Sequence, residues 1–185
     1  LLFLVYINDL PSHVEGVSLF ADDTALLRFN ECLDRLRDSL QRGINEVHQW
    51  MTTWRLRPNI AKTEILFLPN SEPTYAFTLP GSLTDLTVVK QHKHLGLVID
   101  SDLSFSRHVD YICSKVSKAV GYLVSHCSHL PLECIRLFYH CYILPIFLYC
   151  STAWSSLLSK SLMSTLEVHN KRILKVLFRK PSYFP

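Results

Sequence analysis

No two of the six cysteines form a Cys-x-x-Cys pair, and the chain of 185 residues has neither an internal repeat nor a low-complexity tract. Without paired spacing a zinc finger has no scaffold: Cys127 and His129, with Cys134 and His140 nearby, could suggest zinc, but their spacing fits no common finger. Cys32, Cys113, Cys127, Cys134, Cys141 and Cys150 mostly sit in apolar helical patterns, so reduced, buried thiols of an intracellular protein are expected. Excess charge is also scarce. The net charge of +3 permits a nucleic-acid partner without arguing for one. The run Leu137–Cys150 is interrupted by His140 and Pro145, too short and too broken to span a bilayer, so no membrane partner is expected. A basic leader is missing as well. The opening Leu1-Leu2-Phe3-Leu4-Val5-Tyr6-Ile7 runs into Asn8-Asp9-Leu10-Pro11 rather than small residues, which argues against a secretory signal. It reads as a core segment whose upstream part is missing, in a nuclear or cytoplasmic protein.

Hydrophobic residues are plentiful, 48% of the chain, enough for a buried core. Residues 1–9 read as the end of a buried helix or strand stopped by Pro11. Val17–Phe20 and Thr24–Arg28 are short β-type runs around the polar Ala21-Asp22-Asp23, which predicts a hairpin. Asn30 suits a helix N-cap, and Leu33, Leu36, Leu40, Ile44, Val47, Met51 and Trp54 recur every three or four residues, a long amphipathic helix ended by Pro58. Ile65–Leu68 is a strand candidate, and residues 74–100 suit two or three more strands. From Ser104 the pattern is helical, with a stripe of Val109, Ile112, Val116, Val120 and Leu123, a helix opened by Pro131, and a last helix from Lys160 to Lys180. The fold class is therefore α+β, with a domain boundary placed between residues 103 and 104.

Asp22-Asp23 is the candidate for chemistry. Adjacent carboxylates repel, so keeping both ionised calls for a cation, and oxygen donors at close range suit Mg²⁺. Nucleotidyl transfer uses such a site, two metal ions clamping the attacking and leaving oxygens. Turn chemistry explains the same dipeptide, because Asp favours turns. Periodicity does not decide between the two.

Phe20-Ala21-Asp22-Asp23-Thr24 resembles the FADD box of non-LTR (LINE-type) retrotransposon reverse transcriptases, and Leu2–Pro11 resembles the end of the block that precedes it. Further blocks follow in the family's order. Asn59-Ile60-Ala61-Lys62-Thr63-Glu64 is similar to the N-x-x-K-T block, and His94-Leu95-Gly96-Leu97-Val98-Ile99-Asp100 resembles the LG-x-x-x-D hairpin. Leu103-Ser104-Phe105 with His108-Val109 resembles the lead into the thumb, and Leu144-Pro145, Tyr149, Ala153 and Trp154 resemble its P-x-x-x-Y-x-x-x-x-W stretch.

The resemblance implies a partial polymerase palm at residues 1–103, an antiparallel sheet with packed helices, followed by a helical thumb or connection region at 104–185. It implies that Asp22 ligates metal, that Asp23 supports or completes the site, and that two Mg²⁺ ions serve the intact enzyme with an RNA template, a DNA primer and dNTPs. Lys62 would face the triphosphate, and Leu95-Gly96 would support the primer end. On spacing alone Lys62 reads rather as a surface lysine in a loop, and Leu95-Gly96 as a bulge or turn in a strand. The family's first catalytic aspartate and fingers lie upstream of residue 1, and Asp9 belongs to another block, so the chain alone is expected not to polymerise and to be poorly soluble.

At the other end, Lys171, Arg172, Lys175 and Arg179 fall within an arc of about 100° on a helix. They would track a phosphate backbone, or form a solvated helix face. The aromatic run Phe138, Tyr139, Tyr142, Phe147, Tyr149 and Trp154 would stack bases or fill a core. A reverse transcriptase fragment and a non-enzymatic relic of a decayed mobile element, at most binding nucleic acid, both fit these residues.

Overall fold

The computed structural model describes residues 2–68, 76–81, 85–126 and 130–178. Small antiparallel sheets and packed helices make the fold α+β, as expected. It divides into two compact units, Leu1–Ile65 with Glu72–Val89, and Leu66–Ser71 with Lys90–Pro185.

In the first unit, helices α1 (Leu2–Ile7) and α2 (Leu10–His13) lead into the hairpin β1 (Val17–Phe20) and β2 (Asp23–Leu26). The strands pair in register from Val17↔Leu26 to Phe20↔Asp23. Gly16, at φ 70, starts β1; its carbonyl accepts from Leu27 N at 2.9 Å, and a Cβ there would meet Leu27 O at 2.5 Å, so only glycine fits. The long helix α3 (Leu33–Thr53) buries Trp50 against Ile7, Leu10 and Val14, with Leu19 and Leu26 of the hairpin packed alongside. Arg28 fastens the hairpin base. Its guanidinium donates to Glu15 O and Leu27 O and lies 3.9 Å from the Glu46 carboxylate on α3. Beyond α3, β3 (Glu64–Leu66) pairs with β4 (Thr87–Val89).

The second unit opens with the hairpin β5 (Gln91–His94) and β6 (Leu97–Asp100). Helix α4 (Ser106–His126) follows, then α5 (Leu132–Phe138), a wide turn at Tyr139–Ile143, α6 (Leu144–Leu148), α7 (Ser151–Trp154) and α8 (Lys160–Leu177). The predicted stripe of α4, Val109, Ile112, Val116, Val120 and Leu123, is buried throughout and forms the core with Ile135, Ile143, Trp154, Ile173 and Leu177. Burying a residue such as Ile112 contributes about 1.5–3 kcal/mol. Asp100 is buried at the end of β6, where its carboxylate accepts from Phe105 N at 3.0 Å and Ser104 Oγ at 2.8 Å. That carboxylate fixes how α4 leaves the hairpin.

Several sequence expectations need correction. Asn30 is not the N-cap: α3 starts at Leu33 after Cys32, and Asn30 Oδ1 accepts from Cys32 N at 3.0 Å, a local turn that competes with helix. The helix stops at Thr53, ahead of Pro58, because Arg55 is left-handed at φ 56. Pro11 does not end a helix but lies in the first turn of α2, where its missing N–H costs nothing. The opening segment is not buried; Leu2 and Val5 are exposed and only Ile7 of α1 is buried. Cys32, Cys134, Cys141 and Cys150 are exposed and Cys113 is half-buried, against the expectation of buried thiols; Cys127 and His129 lie outside the described residues. β2 begins at Asp23 and ends at Leu26, so the second acid is a strand residue.

The run Leu132–Leu157 is long and apolar enough to cross a membrane by length and composition, more than the sequence reading allowed. Its helix breaks at left-handed Cys150, φ 53, while Ile135, Tyr139, Ile143 and Trp154 are buried in the core built on α4.

Candidate active site

The hairpin lifts Asp22 and Asp23 to its tip. Phe20↔Asp23 is the last strand pair, leaving Ala21 and Asp22 as a two-residue turn. The first position of such a turn usually needs glycine when φ is positive, yet Ala21 holds φ 53. A left-handed alanine costs about 1–2 kcal/mol, so the tip is held under strain by the paired strands. Both aspartates are exposed, and neither carboxylate has a hydrogen bond or ion pair among the described residues. As hard oxygen donors free of competing cations they fit Mg²⁺, which keeps waters and phosphate oxygens as its other ligands. They are two donors only: among the described residues no group of three or more His, Cys, Asp or Glu side chains is placed to hold an ion.

Lys62 lies in the same unit, in the tight turn Ile60–Lys62. The Asn59 carbonyl accepts from Lys62 N at 3.0 Å and from Thr63 Oγ1 at 2.9 Å. The first and last residues of Asn59-x-x-Lys62-Thr63 thus lock the turn that presents the lysine. Its side chain is exposed and makes no ion pair with Asp22 or Asp23 among the described residues.

Leu95-Gly96, in the second unit, forms the two-residue turn between His94 and Leu97. Both residues have positive φ, 46 and 84, the signature of a type I′ hairpin turn. Glycine does allow close approach here, but by a side chain: a Cβ on Gly96 would lie 3.4 Å from the Tyr149 ring. The Tyr149 hydroxyl donates to Leu95 O at 2.6 Å, and Tyr149 O accepts from Trp154 Nε1 at 3.0 Å. The Trp154 ring meets buried His108 edge-on, centroids 5.1 Å apart, and His108 Nδ1 accepts from Val98 N at 3.3 Å. Burial pushes the His108 pKa below its ordinary value. Because Nδ1 accepts, the ring's proton sits on Nε2, which is buried without a hydrogen-bond partner among the described residues. The blocks around residues 95, 108, 149 and 154 therefore form one brace across the hairpin and helices. Sequence reasoning noticed each block without joining them, since contacts so far apart in the chain leave no periodic signal.

On α8, Lys171 and Arg172 are exposed, Lys175 is half-buried and already partnered, and Arg179 lies outside the described residues. Ile173 and Leu177 face the core, as their spacing requires. The aromatic run divides: Tyr139 and Trp154 are core residues, whereas Tyr142 and Tyr149 are about half exposed.

No family model matches the chain, and no solved structure matches it. Known proteins with similar sequences are RNA-directed DNA polymerases of mobile elements, and the similarity covers 98–99% of this chain. They include the RNA-directed DNA polymerase from mobile element jockey of Drosophila melanogaster, 24% identical over 198 residues, and its counterpart in Drosophila funebris, 22% identical over 196. The probable RNA-directed DNA polymerase from transposon BS of Drosophila melanogaster is 28% identical over 199 residues. The chain spans only about a fifth of these relatives, 21–22% of their length. The resemblance to retrotransposon reverse transcriptases thus extends along the whole chain.

Proposed function

We propose that this chain is the later part of a reverse transcriptase palm, residues 1–103, with its thumb, residues 104–185, serving RNA-directed DNA synthesis. The observation that carries the reading is the pair of free carboxylates at a strained hairpin tip, in a chain similar along 98% of its length to such polymerases. Asp22 and Asp23 would hold Mg²⁺. An ion held by these two carboxylates would supply positive charge against the triphosphate and lower the pKa of the primer hydroxyl. Lys62, presented from its locked turn, would contact the phosphates of the incoming dNTP and offset charge developing on the leaving pyrophosphate. The Leu95-Gly96 turn would bear on the primer end, its backbone held still by Tyr149. Lys171 and Arg172 would add contacts to the template–primer backbone.

Two carboxylates do not complete a two-metal site, so the chain alone is expected to be inactive. The test is primer extension on an RNA template annealed to a DNA primer, with dNTPs and Mg²⁺. The 185-residue chain should give no product, and detectable extension would refute its incompleteness. In a longer polymerase carrying this segment, Asp22→Asn should abolish extension. Retained activity in that variant would remove Asp22 from the metal site, whereas a longer protein that gives no extension even with Asp22 intact would leave a non-enzymatic relic as the better reading.

A further inference from the structure

Helix α5, the wide turn at Tyr139–Ile143 and α6 carry two apolar stripes, and the core covers one of them. Ile135, Tyr139 and Ile143 are buried in that core. Cys134, Leu137, Cys141, Pro145 and Leu148 are all exposed, Leu137 at 64% and Leu148 at 57%. Their spacing of three, four, four and three residues is that of a helix–helix seam. In a regular α-helix each four-residue step drifts by about 40°. The wide turn takes up that drift. Leu144 N donates to Tyr139 O, five residues back, so the chain turns less per residue there and Leu137, Cys141 and Pro145 fall near one line.

A helix that is apolar all round is stable when it is covered all round. From Leu137 to Tyr149 there is no Asp, Glu, Lys or Arg, and Tyr142 beside the seam is 52% exposed. At the start of α5, Glu133 and Arg136 neutralise each other at 3.7 Å. The seam therefore offers no net charge to a polyanion or to a charged protein. Helices that lie on lipid carry Lys and Arg beside their apolar face. Here Arg136 is the one such residue from Leu132 to Tyr149, and it is already paired. What the seam does match is itself. Packed antiparallel about a two-fold axis at Cys141, Leu137 of one copy meets Pro145 of the other, and Leu148 meets Cys134. Large side chains thus face small ones at each step, with Cys141 beside its own copy.

We infer that the seam of Cys134, Leu137, Cys141, Pro145 and Leu148 is a self-association surface through which two copies of this chain form a two-fold dimer. The seam runs about 21 Å along the helix, at 1.5 Å per residue. By symmetry each of its side chains is used twice, so single changes there count double. The dimer needs neither metal nor nucleic acid and rests on no part of the polymerase reading.

The test is sedimentation velocity of the full chain in reducing buffer over about 1–100 μM, where a reversible monomer–dimer equilibrium is expected. Leu137→Glu/Leu148→Glu brings four carboxylates into the two-fold interface and should weaken the dimer by ~100-fold or more. Both leucines are exposed in the single chain, so the far-UV circular dichroism of that variant should match the parent's. Mild oxidation with copper phenanthroline should trap a disulfide-linked dimer that Cys141→Ser abolishes and Cys32→Ser/Cys150→Ser retains. Asp22→Asn/Asp23→Asn should dimerise as the parent does, so the metal reading and this inference fail separately. A chain that stays monomeric throughout that range would overturn the inference. So would aggregates of no fixed mass, a dimer that the glutamate variant leaves intact, or trapping that survives Cys141→Ser. Should the glutamate variant lose its helical spectrum, the Cys141 trapping decides alone, on the same two results. Cosedimentation of the monomer with phosphatidylcholine vesicles, without self-association, would give the seam to lipid and overturn the inference as well.

Discussion

Acidification below pH 6.5 should weaken the second unit through His108. The side chain is 2% exposed, and its Nδ1 accepts from Val98 N. A proton added to Nδ1 would face that N–H donor, and the resulting charge would be buried against the Trp154 ring. The folded-state pKa accordingly lies below the ordinary value of 6.5. With the folded pKa lowered, the unfolded chain takes up the proton first. Stability is complete above pH 6.5 and falls as pH drops toward and through the folded pKa. One such histidine loses at most about 1.4 kcal/mol by a pH one unit below its unfolded pKa. Urea unfolding followed by tryptophan fluorescence, repeated from neutral to mildly acidic pH, reads this loss. His108→Gln keeps an acceptor and removes the titration, so the difference between the two proteins should shrink as the pH falls. A parallel pH dependence in both would refute the account of His108.

The same brace yields other outcomes. Tyr149→Phe keeps the ring against Gly96 but loses the 2.6 Å hydrogen bond to Leu95 O, and should cost about 0.5–1.5 kcal/mol in urea unfolding, with faster amide exchange in the β5–β6 hairpin. Trp154→Ala empties a site 2% exposed and should cost about 3–5 kcal/mol. Ala21→Gly relieves a left-handed alanine at the acid-bearing tip and should stabilise the protein by about 0.5–1 kcal/mol; an unchanged or lower stability would show the tip is not strained. Gly16→Ala should do the opposite, losing more than about 1 kcal/mol, because a Cβ would strike Leu27 O.

Periodicity made the long elements legible. α3 and α4 bury one face each, and α4 does so with the five residues its spacing picked out. The first hairpin was visible in its polar turn, and the second only through the resemblance of residues 94–100 to a family block. Boundaries were less so: Asn30 attracted the cap of α3, yet its side chain closes a local turn two residues earlier. Exposure escaped sequence reasoning most often. Apolar α1 and the cysteines looked like core because hydropathy records what a residue favours, not what lies beside it. At the candidate site the motifs were readable but their mechanics were not. The lock on Lys62 by Asn59 and Thr63, and the hold of Tyr149 on Leu95, are hydrogen bonds to backbone carbonyls, to which sequence pattern is blind.

The acid pair at the hairpin tip is the centre of this account, and a paramagnetic ion tests it most directly. Mn²⁺ titrated into isotope-labelled protein should broaden the amide resonances of residues 20–24 before others, and Asp22→Asn/Asp23→Asn should abolish that broadening. Broadening elsewhere with residues 20–24 unaffected, or identical in the double variant, would contradict a metal site at Asp22 and Asp23.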